Sequence, residues 1–349
     1  MVKVAINGFG RIGRLTFRFA WDMPEMEIVA VNEILGGAET AAYLVKYDSV
    51  HGIWEKAVEP KDDGSAFTVD GTPVAFSDKA DYKEVDWKGM GVELVIDCTG
   101  KFLKTEVLKP YLDECGVKRV VVSAPVKEPS VLNVVVGVND DKLDDSHVIC
   151  TAASCTTNCI APVIKVIHEN LVIEKGMITT VHNITGTQSL VDMVNEKKKD
   201  LRRARSGMLN LAPTSTGSAT AVAEVFPELK GKLNGHAIRV PMLNSSITDM
   251  VFIVGRETTA KEVNQLLEDA AKDGAPLAAT AEHGAILGFE TKPLVSTDYC
   301  GDTRSTIVDA ESTMVVQGNM VKIYAWYDNE IGYSMRTAEL ARKVCKKFL

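Results

Sequence analysis

A glycine-rich run, Gly8-Phe9-Gly10-Arg11-Ile12-Gly13, follows the strand pattern Val2–Asn7 and opens a stretch of helical spacing over Arg11–Trp21. Strand, tight turn and helix in that order allow few folds. The first glycine permits the turn, the second lets the backbone approach a pyrophosphate, and the third lets helix and strand pack closely. Taken alone, such a run is as consistent with a structural turn. Here a second strand ends at Val31 and delivers Glu33 twenty residues after Gly13. A carboxylate there can bind both ribose hydroxyls of a dinucleotide, and its charge repels a 2′-phosphate. The reading is dinucleotide binding, with NAD ahead of NADP.

Further apolar runs rich in Val and Ile, at Glu27–Val31, Val92–Asp97, Lys118–Ser123 and Asn133–Val136, are separated by longer segments. Their spacing predicts an α/β fold with a Rossmann-type, doubly wound parallel sheet. Val58–Glu59 and Phe67–Val74, with the turn Val69-Asp70-Gly71-Thr72, read as a small hairpin elaboration. After residue 155 the grammar changes to one helical stretch followed by long strand candidates at Met177–His182, His236–Pro241, Ser246–Gly255 and Lys322–Tyr327. Lys261–Lys272 is spaced like an amphipathic helix, so the second half reads as α+β with a mainly antiparallel sheet. At 349 residues the chain exceeds one typical core. The expected domains are 1–154 with 329–349 for the dinucleotide, and 155–328 for catalysis and oligomerisation. The closing amphipathic helix Tyr333–Leu349 would return to the first.

Cys155 lies in Ala153-Ser154-Cys155-Thr156-Thr157-Asn158-Cys159, where a hydrophobic strand gives way to helical spacing. A thiol at a helix N-terminus feels the partial positive charge of unpaired N–H groups, which predicts a lowered pKa and a reactive nucleophile. His182 follows the strand Met177–Val181 and is a candidate base for it. A lone histidine is more often a structural hydrogen-bonding residue, and the other five histidines lack this setting. Ser154, Thr156, Thr185, Thr214-Ser215-Thr216-Gly217 and Arg239 offer hydroxyl, N–H and guanidinium donors suited to phosphate. Each Ser and Thr is individually as well explained by a turn or helix cap. Beside a dinucleotide motif, the set suggests a phosphorylated substrate.

A formal charge of −8 argues against nucleic-acid or membrane-surface binding as a general role, since neither polyanion would be attracted. The N-terminus shows no signal-peptide pattern, and no apolar run reaches the length of a membrane span. The seven scattered cysteines suit reduced thiols and a cytoplasmic location. Cys155 and Cys159 lack a second His/Cys pair nearby, so no metal is expected. One basic run, Glu196–Arg205, reads either as a solvated face or as a loop ordered against another subunit or an anion.

The runs Ile6–Arg14, Lys46–Gly52, Ala153–Cys159 and Trp326–Glu330 occur in the order seen in phosphorylating glyceraldehyde-3-phosphate dehydrogenases, and the chain resembles that family throughout. The resemblance implies that Cys155 attacks the aldehyde to give a thiohemiacetal and that His182 takes its proton. Hydride would pass to a nicotinamide whose carboxamide Asn329 holds, and inorganic phosphate would attack the resulting thioester. It also implies Thr185 and Arg239 at the substrate phosphate, and Ser154, Thr156, Thr216 and Gly217 at the attacking phosphate. Phe9, Gly10, Arg11, Ile12, Glu33, Thr99, Gly100 and Ser123 match the cofactor contacts, and 185–207 matches a loop crossing a homotetramer interface.

Some positions depart from the common pattern. The ribose-binding acid is usually Asp, and Met193-Val194 with a short insertion after it replaces a Leu-Pro pair that helps exclude NADP. Ser77–Asp81 also lacks an Arg or Pro near the adenine. The segments Asn32–Thr40 and Lys322–Trp326 are more similar to a branch associated with arsenate-resistance genes, which implies arsenate as an alternative attacking anion. Erythrose-4-phosphate dehydrogenase is a second alternative on the same scaffold. A catalytically silent binding protein is a third, from a different class.

Overall fold

The computed structural model describes residues 1–194 and 200–349. The chain forms two compact units, Met1–Ser154 with Tyr333–Leu349, and Cys155–Gly332. A nine-stranded sheet organises the first, in the order Leu132–Asn133, Ile149–Thr151, Arg119–Val122, Leu94–Asp97, Val2–Asn7, Met26–Asn32, Thr72–Ser77, Ala66–Val69, Val58–Pro60. Pairing is parallel from Leu132–Asn133 as far as Thr72–Ser77 and antiparallel beyond it. Val4, Ile6, Leu94, Ile96, Val120 and Val122 are fully buried, as strands covered on both faces require. The order reverses beside Val2–Asn7, which pairs with Met26–Asn32 on one side and Leu94–Asp97 on the other. Chains leaving these strands in opposite directions open a crevice at the carboxyl ends.

The helix over Arg11–Trp21 and the hairpin agree with the sequence reading. Asp70 (φ 48°) and Gly71 (φ 80°) both take the left-handed conformation that a two-residue hairpin needs. The strand expected over Asn133–Val136 is shorter, with Leu132–Asn133 in the ladder and Val134 N making a last bond to Thr151 O at 2.8 Å. The Asn139 side chain accepts from Val135 N at 2.7 Å and turns the chain away from the ladder. The helix Gly37–Lys46 had no counterpart among the expected elements.

The last helix, Ile331–Phe348, packs with the first unit from Tyr333 onward. Its Arg342 grips Glu25 through two hydrogen bonds of 2.7 and 2.9 Å. The Arg342 bond is the main reason the Glu25 carboxyl falls from 4.5 to about 2. A depressed acid contributes stability above its unfolded pKa and loses it as pH drops through the folded value. Glu25→Gln is therefore expected to cost about 1 kcal/mol at pH 7, because the pair is partly solvent-screened. The deficit should vanish between pH 4.5 and 2, which urea melts at several pH values would read.

The second unit holds a seven-stranded sheet ordered Ala212–Ser215, Leu233–Arg239, Ile173–His182, Ser246–Val254, Met320–Tyr327, Thr306–Val316, Leu287–Glu290. Most pairs are antiparallel, as the β-branched alternation suggests. Ile173–His182 runs parallel to Leu233–Arg239, however, and Leu287–Glu290 parallel to Thr306–Val316. The long stretch after His182, which includes helix Ser218–Val225, supplies the crossover that a parallel pair needs. This parallel register sets His182 directly beside Arg239. Helix Cys155–Leu171 is buried on nearly every side, and its apolar residues form part of the unit's core.

Candidate active site

Strand Ile149–Thr151 leads through Ala152–Ser154 into the helix that begins at Cys155. Ala153 has φ 52°, a conformation that costs a residue with a Cβ of order 1 kcal/mol or more. It is held there because Ala153 N donates to Thr151 Oγ1 at 3.0 Å and Tyr333 Oη donates to Ala153 O at 2.9 Å. Cys155 Sγ stands 3.7 Å from His182 Nε2 and 4.0 Å from Thr156 Oγ1.

The lowered thiol pKa expected from the helix end is not what this environment produces. Burial pushes the Cys155 thiol up, while the Arg239 cation and hydrogen bonds from Thr156 and the Cys155 backbone pull it back without overcoming the burial. The residue is half-buried, and desolvation still outweighs the groups that favour its charge. Helix dipoles act through partial charges, and removing a thiolate from water costs more than they return.

His182 is itself buried, and burial followed by the Arg239 cation pushes it down to about 3. The imidazole is therefore neutral near pH 7. Its Nδ1 lies 2.6 Å from Arg239 Nη1 and 2.9 Å from Asn183 O, while Arg239 Nη1 also donates to Asn183 O at 3.1 Å. Tyr327 sets its ring edge-on to the imidazole at 6.1 Å. Its hydroxyl bridges Thr156 Oγ1 at 2.9 Å and Thr180 Oγ1 at 2.8 Å.

A second group of donors is linked to this pair through the charge of Arg203. Thr185 Oγ1 lies 2.9 Å from Thr187 Oγ1, which accepts from Arg203 Nη1 at 2.9 Å. Arg203 Nη2 donates to Thr214 Oγ1 at 3.4 Å, and its charge disfavours that of Arg239. The Arg239 Nε is buried and has no hydrogen-bond partner among the described residues. Two mutually repelling guanidiniums, one with an unused donor, suit an anion. Arg203 and Thr187 were not singled out from the sequence; the basic run Glu196–Arg205 was the available signal for Arg203. Its portion Glu196–Lys199 and the insertion after Val194 lie outside the described residues. Thr216 and Gly217 stand before helix Ser218–Val225, where Thr216 Oγ1 accepts from Ser218 N at 3.2 Å. Asn329 is buried, and its Oδ1 accepts from Ser246 Oγ at 3.1 Å.

In the first unit, Gly8, Gly10, Glu33 and Thr99 line a crevice of about 200 Å³ together with Asn7, Asn32 and Lys79. A Cβ on Gly13 would sit 2.1 Å from Gly8 O, and one on Gly8 would sit 2.6 Å from Thr99 N. A Cβ on Gly10 would meet nothing within 4 Å, so bare backbone faces open space there. Glu33 Oε2 accepts from Phe9 N at 2.7 Å, which orients the carboxylate over the turn. Asp97 accepts from Thr99 N and Oγ1 at 3.1 and 2.7 Å, and Ser123 N donates to Asp97 O at 2.8 Å. Arg11, at the helix start, pairs with Asp48 at 2.6 Å, with Ile12 following it and Gly100 in the turn after Thr99. Exposed backbone N–H groups at a helix start and an oriented acid fit a dinucleotide's pyrophosphate and ribose.

Comparison with known proteins points the same way. Residues 2–105 match the model of the glyceraldehyde 3-phosphate dehydrogenase NAD binding domain, and residues 154–329 match that of its C-terminal domain. A Nostoc sp. protein named glyceraldehyde-3-phosphate dehydrogenase 3 is 56% identical over 344 residues, covering 98% of each chain. Glyceraldehyde-3-phosphate dehydrogenase 1 of Bacillus subtilis and glyceraldehyde-3-phosphate dehydrogenase of Geobacillus stearothermophilus are each 47% identical, covering 100% of this chain and 99% of theirs. With both halves matched and relatives aligned end to end, the chain belongs to the glyceraldehyde-3-phosphate dehydrogenase family.

Proposed function

We propose that this protein oxidises and phosphorylates D-glyceraldehyde 3-phosphate to 1,3-bisphosphoglycerate, using NAD. The observation that carries the reading is Cys155 Sγ at 3.7 Å from His182 Nε2, with Arg239 at the far side of the same imidazole. Cys155 attacks the aldehyde carbon as its proton passes to His182, giving a thiohemiacetal. The Cys155 N–H at the helix start donates to the developing oxyanion. The nicotinamide, when bound, supplies the hydride acceptor. Glu33, the Phe9–Ile12 turn, Thr99, Gly100 and Ser123 hold the cofactor, and Asn329 holds its carboxamide. Thr185 and Arg239 take the substrate phosphate, with Arg203 adding charge. Ser154, Thr156, Thr216 and Gly217 take the anion that attacks the Cys155 thioester, and Tyr327 orients the Thr156 hydroxyl toward it.

An absorbance assay for NADH with the aldehyde tests this. Turnover should require inorganic phosphate, or arsenate in its place; turnover that is indifferent to both would instead favour release of the acyl group to water, as in an erythrose-4-phosphate dehydrogenase. The NAD preference rests on the Glu33 charge, which repels a 2′-phosphate. Glu33→Gln is expected to narrow the NAD to NADP ratio of kcat/KM by about tenfold or more. An unchanged ratio would assign the preference to other residues.

A homotetramer is the proposed assembly. Leu190, Val191, Met193, Leu201, Leu209 and Leu211 are exposed along the segment after His182, apolar side chains that a neighbouring subunit would cover. Light scattering coupled to gel filtration should return four subunits. A monomer at micromolar concentration would refute it.

A further inference from the structure

Three strand ends of the second unit meet at one buried hydroxyl. Strand Ser246–Val254 runs antiparallel to both Ile173–His182 and Met320–Tyr327, with Ile247 opposite Val181 and Ser246 opposite Tyr327. That register brings Ser246 within bonding reach of the residue after His182 and of Asn329. Asn183 N donates to Ser246 Oγ at 3.2 Å, and Ser246 Oγ donates to Asn329 Oδ1 at 3.1 Å. All three residues are buried. Their backbones are pinned separately: Asp328 accepts from Glu330 N and Ile331 N ahead of the final helix, and its second oxygen accepts from Asn244 Nδ2 and Gly301 N. Asn183 Nδ2 donates to Leu243 O at 2.8 Å.

The direction of these bonds follows from what each group can do. A backbone N–H only donates, so Ser246 Oγ accepts from Asn183 and its own hydrogen is left to give. Asn329 Oδ1 takes it. Were the Asn329 amide turned over, Nδ2 would be a second donor to Oγ, and the buried Ser246 hydrogen would have no acceptor among the described residues. Leaving such a group unpaired costs more than a typical hydrogen bond returns. The amide is therefore set with Oδ1 toward Ser246, and its Nδ2 has no partner among the described residues. We propose that Ser246 is a positioning residue for the cofactor: its hydroxyl, aimed by Asn183 N–H, turns the Asn329 amide so that Nδ2–H meets the carbonyl oxygen of the nicotinamide carboxamide. The inference rests on the reading of Asn329 as the residue that holds this carboxamide. A fixed donor takes the carboxamide oxygen and refuses its NH2 end, which leaves a site's polar group unpaired against the wrong partner. Without Ser246, Asn329 offers either end and the preference is lost. Because the N–H that aims Ser246 belongs to the residue after His182, the carboxamide and the imidazole are placed from one hydrogen-bonded frame.

The test is calorimetric binding of two probes to the full-length enzyme: NAD, and ADP-ribose, which shares the adenosine and pyrophosphate but lacks the nicotinamide. Ser246→Ala is expected to weaken NAD by about three- to tenfold while ADP-ribose stays within about twofold of wild type. Ser246→Thr keeps the hydroxyl and should restore NAD binding; Ser246→Cys, a weak donor of similar shape, is the second loss variant should the alanine form fail to fold. The thionicotinamide analogue of NAD adds a direct reading of the donor, since its sulfur accepts poorly. Wild type should favour NAD over it, and Ser246→Ala should narrow that gap. Unchanged NAD affinity in Ser246→Ala, beside a loss confined to NAD in Asn329→Ala, overturns the role of Ser246 and leaves the carboxamide assignment intact. Parallel losses of NAD and ADP-ribose in Ser246→Ala also overturn it, as they mark a general weakening of the fold. An unchanged ratio of NAD to ADP-ribose affinity in Asn329→Ala overturns the carboxamide assignment, and the inference with it.

Discussion

Cys155→Ser is expected to lower kcat by about 10³-fold or more while leaving NAD affinity unchanged. Thiolate is the nucleophile in this scheme, and a serine hydroxyl ionises far less readily and leaves a thermodynamically different acyl ester. The structure sharpens the expectation, because burial already works against charge at this position. A serine alkoxide would face the same burial with a much higher intrinsic pKa. Cys155 is not among the residues that line the crevice or that are assigned to the cofactor, so exchanging its sulfur for oxygen should leave NAD binding close to wild type. NADH formation by stopped flow and NAD titration by calorimetry read the two quantities separately. Turnover within tenfold of wild type would exclude the covalent route.

His182→Gln is expected to lower kcat/KM by about 10²- to 10⁴-fold, the usual worth of a placed general base. Glutamine keeps a hydrogen-bonding end of similar reach but cannot take a proton at neutral pH. Alkylation of Cys155 by neutral iodoacetamide should slow in the same variant, because the sulfur then ionises without a base. Since His182 is held at about 3, wild-type acylation should show no inflection from this group at the ordinary histidine value near 6.5. Equal alkylation rates for wild type and variant would separate His182 from the thiol. Tyr327, edge-on to the ring and bonded to Thr156, should then be examined as the organiser of the sulfur's surroundings.

Legibility differed between elements for physical reasons. The helix Arg11–Trp21 and its strand were readable because glycine positions, apolar periodicity and backbone turn are all local. The strand Thr306–Val316 was missed since its burial is irregular and its register shifts between Asp309 and Met314. The parallel pairing of Ile173–His182 with Leu233–Arg239 was also invisible, as strand direction depends on what lies between two strands and not on either one. Among site residues, Cys155 and His182 stood out through their positions at a helix start and a strand end. Arg203 and Thr187 did not, because an arginine in a basic run and a threonine in a loop carry no local mark of what they face.

Local chemistry along the chain determined the dinucleotide turn, the acid at Glu33 that opposes a 2′-phosphate, and the thiol at a helix start. These depend on neighbours close in sequence. Tertiary structure alone decided the protonation of the pair at the reaction centre: burial sets Cys155 high and His182 low. It also decided that Arg239, fifty-seven residues from His182, competes with Asn183 O for one ring nitrogen. Ionisation and tautomer answer to the dielectric and charges gathered from distant segments, and no single segment of sequence carries that sum.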